Sequence, residues 1–368
     1  MPLTPASQDA EYYPPAESQG GWRWLDSTES IQEQAGMDAS KLEKVFELQD
    51  FLFGGYSSST VIIRKGYLVG EHASFMGLAS SRFDVWSCTK SFTGLVWGML
   101  LEDSRQGRLS EGQTVNLESL AYDFLPEGQP MTDERKEAIT IGHLLSMTSG
   151  IAGEAHGIYG VPTKTGQGPF EHALGFTTNR YGKSVAKLGS NPGEQWDYSD
   201  PAFVHLSLIF RHLTGQDMRV YAQERLFKPI GVENASWDVL GGGQLIGPHT
   251  CAHVGMHISA REFARVGYLA LKKGVWRDQV IVPRWWLDLA TQSSQDLNPG
   301  YGYTFWVNST GAHWPNLATD MFAFEGHTTN RCYIIPSLDL LVVRIGAGPI
   351  RWNEQDFISA IVDTIIED

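Results

Sequence analysis

The sequence is poor in basic residues relative to acidic ones. Its 368 residues include 28 Lys and Arg against 42 Asp and Glu, which gives a formal net charge of −14. A negative field of this size repels the phosphate backbone of nucleic acids and the anionic surface of lipid bilayers. We therefore expect neither nucleic acid nor a membrane among the partners of this protein.

Long apolar stretches are also missing. No run of about 20 apolar residues occurs, so no membrane-spanning helix is expected. Residues 1–26 are rich in Pro, Ser, Gln and Glu, and they lack the basic start and the apolar segment of a secretory signal. We expect a cytoplasmic protein, although a secreted protein without its leader has the same features.

Cysteine is scarce as well. The three cysteines, Cys88, Cys251 and Cys332, are an odd number and show no CxxC spacing. This pattern argues against both a disulfide framework and a thiolate zinc site, and it fits a reducing compartment.

Three histidines at four-residue spacing, His249, His253 and His257, suggest a metal site at first sight. However, Ser259 and Glu262 form a capping box that starts a helix only after them. Helical spacing therefore has no meaning for these histidines. We predict no metal site, and nothing else in the sequence implies a cofactor.

Hydrophobic residues make up 42% of the chain, which is enough for a large buried core. Apolar β-branched runs at 61–63 and 67–69, and again at 332–335 and 340–345, predict a hairpin near each end of the chain. Helical spacing at 353–366 predicts a terminal helix.

The part of the chain between the two hairpins reads as helices and long loops, beginning with an apolar helix over 87–102. We therefore predict an α+β fold, in which an antiparallel sheet built from both chain ends is flanked by helices and carries a mostly helical insertion. The predicted domains are a discontinuous sheet domain, a helical domain and an extended N-terminal segment, at 27–85 with 250–368, 86–249 and 1–26.

The most reactive pattern is Ser87-Cys88-Thr89-Lys90 at the start of the first long helix. Ser87 and Lys90 are three residues apart, so their side chains lie on one face and can meet. A buried lysine can take the hydroxyl proton and make the serine a nucleophile, and the helix N-terminus favours the oxyanion that then develops. The alternatives are that Lys90 is a solvated surface residue, or that Cys88 is the nucleophile, although Cys88 points about 100° away.

Four stretches resemble the serine β-lactamase-like family, which includes class C β-lactamases, penicillin-binding proteins, related esterases and oligomer-cleaving amide hydrolases. Residues 86–92 resemble its S-x-x-K nucleophile motif, and 139–150 resemble a long non-catalytic signature. Residues 192–200 resemble the segment that ends in Tyr-x-Asn, and 326–330 lie where the Lys-Thr-Gly strand, or its His-x-Gly variant, is found. The resemblance follows the family's order across roughly residues 50 to 350.

The resemblance implies roles for further residues. Tyr198 would be a second catalytic base, because a phenol that faces a buried lysine ionises more readily. The backbone N–H groups of Ser87 and Asn330 would form the oxyanion hole. His327, Thr328 and Thr329 would contact the substrate.

Two positions depart from the family pattern. Asp200 stands where Asn is usual, so that a carboxylate either repels anionic substrates or pairs with Lys90 and keeps the lysine charged. Thr329 replaces a glycine and narrows the cleft, and His327 replaces a permanently charged lysine. These changes favour an uncharged ester or amide over a β-lactam.

The sequence therefore predicts a serine hydrolase that forms a covalent acyl-serine intermediate on a small ester or non-peptide amide. Two alternatives remain: a class C-type β-lactamase or D-alanyl peptidase, and a catalytically inactive binding protein of the same fold. The shape of the pocket depends on loops such as 154–178, and Tyr159 and Tyr181 are candidate lid residues, although their being ordinary aromatic residues of surface loops is a sufficient alternative.

Overall fold

We analysed a computed structural model of the chain, which describes residues 11–74, 77–78, 80–153, 168–176, 188–241, 243 and 246–366. The strands of these residues are β1 Ser58–Arg64, β2 Tyr67–Ser74, β3 Phe83–Asp84, β4 Ser236–Trp237, β5 Val239–Leu240, β6 His249–Thr250, β7 Met256–Ile258, β8 Val275–Trp276, β9 Gln279–Val280, β10 Trp306–Val307, β11 Phe322–Glu325, β12 Arg331–Ile335 and β13 Leu340–Gly346.

The α-helices are α1 Thr28–Ser30, α2 Ala39–Phe53, α3 Cys88–Arg105, α4 Ile141–Leu145, α5 Pro169–Leu174, α6 Asp200–Thr214, α7 Met218–Ala222, α8 Ala260–Leu271, α9 Arg284–Ala290 and α10 Glu354–Val362. Short 3₁₀ and π segments lie between them, mainly in the connections.

A six-stranded sheet forms the centre of the molecule, in the order β10-β11-β12-β13-β1-β2. Every neighbouring pair in it is antiparallel, including β13 with β1, where the two ends of the chain meet. The prediction of an α+β fold with an antiparallel sheet built from both chain ends is confirmed.

Both predicted hairpins are present. The turn of the first has Lys65 and Gly66 at φ 49° and φ 74°, the left-handed pair that matches the twist of a two-residue hairpin. The second connects β12 to β13 through Pro336–Leu338 and a left-handed Asp339. Turn-forming residues therefore set the register at both ends of the chain.

The sheet is covered on both faces because β1 is apolar on both sides. Val61 and Ile63 belong to one buried core, and Ile62, which points the other way, belongs to a second. Helix α8 packs against β13, β12 and β1, while α2 contacts β2 and α10 on the second side. A strand buried on both faces reads as a continuous apolar run, which is what the sequence shows here.

Two predicted helices differ in their ends. The first begins at Cys88, with Ser87 as the residue before the helix, and continues to Arg105 instead of stopping at residue 102. The terminal helix covers only Glu354–Val362 of the predicted 353–366, because Asn353 caps its start and Ile365 bridges to Met37. Ser259 does cap the start of a helix, α8, but the Glu262 carboxylate accepts from the N–H groups of Glu233 and Asn234, so the reciprocal half of the predicted capping box is not formed. The domain boundaries stay a prediction.

Among the described residues, no helix combines the length and the apolar character needed to cross a bilayer.

Candidate active site

A cleft of about 570 Å³ opens beside the N-terminus of α3. Its described lining consists of Trp86, Ser87, Tyr198, Asp200, His253, Val254, Trp306, Glu325, Gly326 and His327. Four of the residues predicted from the sequence, Ser87, Tyr198, Asp200 and His327, therefore meet in one cavity although they lie up to 240 residues apart in the chain.

The nucleophile candidate lies on a constrained turn. Trp86 adopts φ 51°, a conformation that is rare for a bulky residue, and its N–H donates to Asp84 at 2.8 Å. Thr89 holds the turn from the helix side, because its hydroxyl donates to the Trp86 carbonyl at 2.6 Å and accepts the Met256 N–H at 3.1 Å. Ser87 is thereby presented to the cleft at the first turn of α3.

Lys90 lies directly behind Ser87. Its Nζ is 3.0 Å from Ser87 Oγ, 3.2 Å from the His253 carbonyl oxygen and 2.7 Å from Asp200 Oδ1. Only 1% of the lysine side chain is exposed, so this is a buried ion pair that also touches the serine. The predicted pairing of Asp200 with Lys90 is thus present.

Tyr198 approaches the same lysine from the other side, with its ring centroid 4.7 Å from Lys90 Nζ. The signature segment 139–150 positions the tyrosine through main-chain bonds. The Met147 carbonyl accepts from Asp197 N at 2.9 Å, and the Thr148 carbonyl accepts from Gly193 N at 2.7 Å. The signature therefore acts through the backbone of the tyrosine segment.

The end of strand β11 forms the opposite edge of the cleft. A Cβ at Gly326 would lie 2.1 Å from the Val85 carbonyl and 3.2 Å from Cys88 N, so only glycine allows the strand to pack on the nucleophile turn. The Gly326 N–H donates to Asn330 across the hairpin at 2.8 Å. The next residue, His327, follows the end of β11 by two positions and lines the cleft.

Asn330 does not line the described cleft. It is buried, its side-chain amide donates to the His327 carbonyl at 2.9 Å, and its side-chain oxygen accepts from Gly346 N at 2.9 Å. The asparagine therefore fastens the turn from behind. Its predicted role as an oxyanion donor stays a prediction, whereas His327 does line the cleft.

Thr328 and Thr329 are also absent from the described lining. Thr328 is left-handed at φ 60°, and its hydroxyl donates to the His327 carbonyl at 2.7 Å. Thr329 is fully buried, and its hydroxyl accepts from the guanidinium of Arg344, whose pKa burial lowers to about 9. The side chain that replaces the family's glycine thus points into the protein and does not narrow the cleft.

Three residues of the cleft lining were not predicted from the sequence to belong to the site. His253 is adjacent to Lys90, and burial lowers its pKa to about 4, which makes it a neutral imidazole. Trp306 stacks on Tyr198, with ring centroids 6.2 Å apart. Glu325 accepts from His313 at 2.8 Å. The sequence contained one indication for Glu325, because this residue directly precedes the 326–330 stretch that resembles the family motif.

The three histidines weighed as metal ligands serve separate purposes. His257 bonds Asp238 at 3.1 Å, His249 packs edge-on against Phe170, and His253 lines the cleft. In the part of the chain that the structure describes, no group of three His, Cys, Asp or Glu side chains is arranged to hold a metal ion. Tyr159 and Tyr181, the candidate lid residues, lie outside the described residues.

An antiparallel sheet flanked by helices, with a buried Ser-Lys pair at a helix start and a tyrosine beside it, defines a class of α+β hydrolase folds. The sequence profile of the Beta-lactamase family matches residues 65–346, more than half of the chain. The chain therefore belongs to the β-lactamase family, as its motifs suggested.

Individual proteins show the same likeness. "Protein flp" of Staphylococcus aureus strain NCTC 8325 is 27% identical over 179 residues, which are 48% of this chain and 32% of flp. The match thus spans about a third of the length of that curated relative. Among solved structures, a Bacillus anthracis protein provisionally assigned as a 6-aminohexanoate-dimer hydrolase has a TM-score of 0.66 at 20% identity and covers 96% of this chain and 86% of its own.

A second solved structure is described as EstCE1, a hydrolase with promiscuous acyltransferase activity. It has a TM-score of 0.63 at 16% identity, and the match covers 89% of this chain and 98% of that chain. At these identities the two structures establish the fold.

Proposed function

We propose that this protein is a serine hydrolase that cleaves a small ester or non-peptide amide through a covalent acyl-Ser87 intermediate. The observation that carries the proposal is the contact of 3.0 Å between Ser87 Oγ and the buried Nζ of Lys90, at the floor of an open cleft. A buried lysine in contact with a hydroxyl group that lines a cleft is typical of functional sites.

The geometry favours a division of labour in the proposed reaction. Asp200 stabilises Lys90 as an ammonium ion, so the lysine acts as a positive anchor for Ser87 and Tyr198 rather than as the proton acceptor. Tyr198, acting as the phenolate, then takes the proton of Ser87 as the oxygen attacks the carbonyl carbon, and passes it to the leaving oxygen or nitrogen, which restores the phenolate. Water enters afterwards, loses a proton to the same tyrosine and releases the acid.

We assign the oxyanion hole to the N–H groups of Ser87 and His327. Ser87 supplies an N–H at a helix start, and His327, which lines the same cleft two residues after the end of β11, supplies the second. Each such donor contributes about 3 kcal/mol to the stability of the tetrahedral intermediate. This assignment moves the second donor by three residues from the one predicted from the sequence, Asn330.

The names of related structures support the same chemistry. One is provisionally assigned to the cleavage of an aminohexanoate dimer, which is an amide, and another is described as a hydrolase with acyltransferase activity. Acyl transfer to water and to other acceptors both proceed from an acyl-enzyme. The lining described here lacks a lysine or arginine that would hold the carboxylate of a β-lactam, which favours the ester or amide reading.

Replacement of Ser87 by alanine tests the proposal directly. We expect kcat/KM for p-nitrophenyl acetate to fall by about 10⁴-fold or more, because the nucleophile is removed. Ser91→Ala is a matched control, since Ser91 lies on the same helix but donates to the Thr304 carbonyl away from the cleft. Full activity in Ser87→Ala would remove the assignment.

Two further assays separate the alternatives. A fluorophosphonate probe followed by peptide mass spectrometry should label Ser87, whereas an inactive binding protein of this fold would leave Ser87 unlabelled. Turnover of a chromogenic cephalosporin faster than that of p-nitrophenyl acetate would instead favour the β-lactamase reading.

A further inference from the structure

Glu325 is a charged residue of the cleft for which the proposed reaction has no use. It is the last residue of β11 and directly precedes Gly326, which packs on the nucleophile turn. Its side chain is 12% exposed and lines the cleft together with Ser87 and His327. The cleft therefore contains a carboxylate two residues before His327, one of the two proposed oxyanion donors.

The positive charges near the cleft are outnumbered. Lys90 pairs with Asp200 at 2.7 Å, and Arg331 pairs with Glu354 through two bonds of 2.9 and 2.7 Å. Arg331 comes no closer than 3.7 Å to Glu325. Two cations thus face three carboxylates, and the described lining itself contains acidic side chains but no lysine or arginine.

Two tryptophans, Trp86 and Trp306, line the same cleft as Glu325. Trp86 is 46% exposed and lies 5.2 Å from the His327 ring, centroid to centroid. Trp306 stacks on His313 at 4.7 Å, and His313 in turn bonds Glu325. Indole faces attract organic cations through their quadrupoles, and a nearby carboxylate adds a Coulombic attraction.

We propose that the cleft selects substrates that carry a positively charged amine close to the scissile carbonyl, with Glu325 as the residue that determines this specificity. The proposal rests on the serine hydrolase function proposed above. It narrows the substrate class to cationic esters or amides, in place of the uncharged ones that the sequence pattern favours. The net charge of −14 also steers cations toward the protein.

Matched ester series test the proposal. On the acyl side, the p-nitrophenyl esters of 4-(trimethylammonio)butyrate, 5,5-dimethylhexanoate and glutarate present a cation, its neutral isostere and an anion. On the leaving-group side, acetylthiocholine is compared with S-(3,3-dimethylbutyl) thioacetate. We expect kcat/KM to favour the cation over its isostere by about ten-fold in at least one series, and the anion to be the poorest substrate.

The preference ratio, kcat/KM for the cationic ester divided by kcat/KM for its neutral isostere, is then measured in variants. A general loss of activity lowers both values and cancels in this ratio. Glu325→Gln should reduce the ratio to within about two-fold of unity, whereas Glu325→Asp, which keeps the charge, should retain a preference. Glu224→Gln is the control, because it changes the net charge equally at a site that is 63% exposed and paired only with Lys228 at 3.6 Å.

Two measurements on the unmodified protein keep the proposal testable if Glu325→Gln does not fold. The cation preference should weaken as NaCl rises from about 20 to about 500 mM, because salt screens the attraction. A wild-type ratio of unity or below in both series would overturn the proposal, as would an unchanged ratio in folded Glu325→Gln. Fluorophosphonate labelling of Ser87 in the same sample shows whether the hydrolase function stands when the specificity fails.

Discussion

At the scale of single residues, the site is organised around Lys90 rather than around the serine. The ammonium group contacts Ser87, Asp200 and the His253 carbonyl, and it lies over the ring of Tyr198. A buried charge with one carboxylate partner has little freedom to move, because leaving that partner uncovers both charges. Lys90 therefore fixes the relative positions of Ser87 and Tyr198, the proposed nucleophile and base.

Tyr198→Phe isolates the proton-transfer role of the hydroxyl. The ring that stacks on Trp306 and faces Tyr301 is retained, so the melting temperature should stay close to that of the wild type. We expect kcat to fall by about 10²- to 10⁴-fold in an ester assay, because only the proton acceptor is lost. Tyr303→Phe, which removes a hydroxyl outside the described cleft lining, should retain wild-type activity, and equal losses in both variants would contradict the role of Tyr198.

At the scale of elements, the contact between the end of β11 and the turn before α3 decides whether the two proposed oxyanion donors converge. Gly326 is the point of closest approach, and the atoms it faces belong to the main chain of Val85 and Cys88. Main-chain atoms cannot move aside as a flexible side chain can. The strand and the turn must therefore separate if a side chain is added.

Gly326→Ala places a Cβ 2.1 Å from the Val85 carbonyl oxygen. We expect a folded protein that has lost about 1–3 kcal/mol of stability, together with a larger loss of kcat than of substrate affinity, since the oxyanion donors are displaced. Urea unfolding and steady-state kinetics measure the two effects. Gly55→Ala has no atom within 4 Å of the new Cβ and should change neither quantity.

Lys136 is a buried residue of the short 3₁₀ segment that directly precedes the signature segment 139–150. Its ammonium donates to Thr132 Oγ1 and to the Leu174 carbonyl at the end of α5, both at 2.8 Å. Burial lowers its pKa from the ordinary 10.5 to about 8. The lysine thus connects α5 to the 3₁₀ turn at Glu134–Ala138.

Stability should therefore depend on pH through Lys136. Because its folded-state pKa lies below that of the unfolded chain, the folded protein binds fewer protons between about pH 8 and 10.5, and its stability rises with pH across this window by up to ~1.4 kcal/mol per pH unit. Lys136→Met lacks this contribution. Urea unfolding of both proteins at pH 7 and pH 9.5 should show the wild type gaining relative to the variant, and a constant difference would contradict the prediction.

At the scale of the whole molecule, the segment before the first strand is fastened to the sheet domain by Arg265. This residue of α8 is fully buried and donates to the Pro14 carbonyl and the Ile230 carbonyl, each at 3.1 Å, and to the Pro15 carbonyl. Glu17 supplies the opposite charge at 3.2 Å. One guanidinium thus holds the N-terminal segment against the core.

Arg265→Met should release that segment. The carbonyl groups lose their donors and Glu17 loses its partner, so we expect a loss of about 2–4 kcal/mol in stability and faster tryptic or thermolytic cleavage within residues 11–24. Fragment masses from limited proteolysis identify the position. Arg284→Met, in which the side chain is 72% exposed, is the control, and first cleavage elsewhere would show that the segment is held by other contacts.

The sequence by itself determined the parts that depend on local pattern: the two hairpins, the helix that follows Ser87, the spacing of Ser87 and Lys90, and the segment that carries Tyr198. Periodicity, turn chemistry and capping act between neighbours in the chain, so a reader of the sequence can find them. The tertiary structure alone decided that Glu325, Trp306 and His253 share the cleft. Only the packing of distant segments brings them together.

The same distinction explains the residues after Gly326. Resemblance to the family motif identified the stretch, but the position of each side chain depends on the hairpin register between β11 and β12. That register places Asn330 behind the turn and buries Thr329 against Arg344, whereas His327 lines the cleft. The sequence thus determined which residues act near Ser87, and the pairing of strands decided which of their atoms face it.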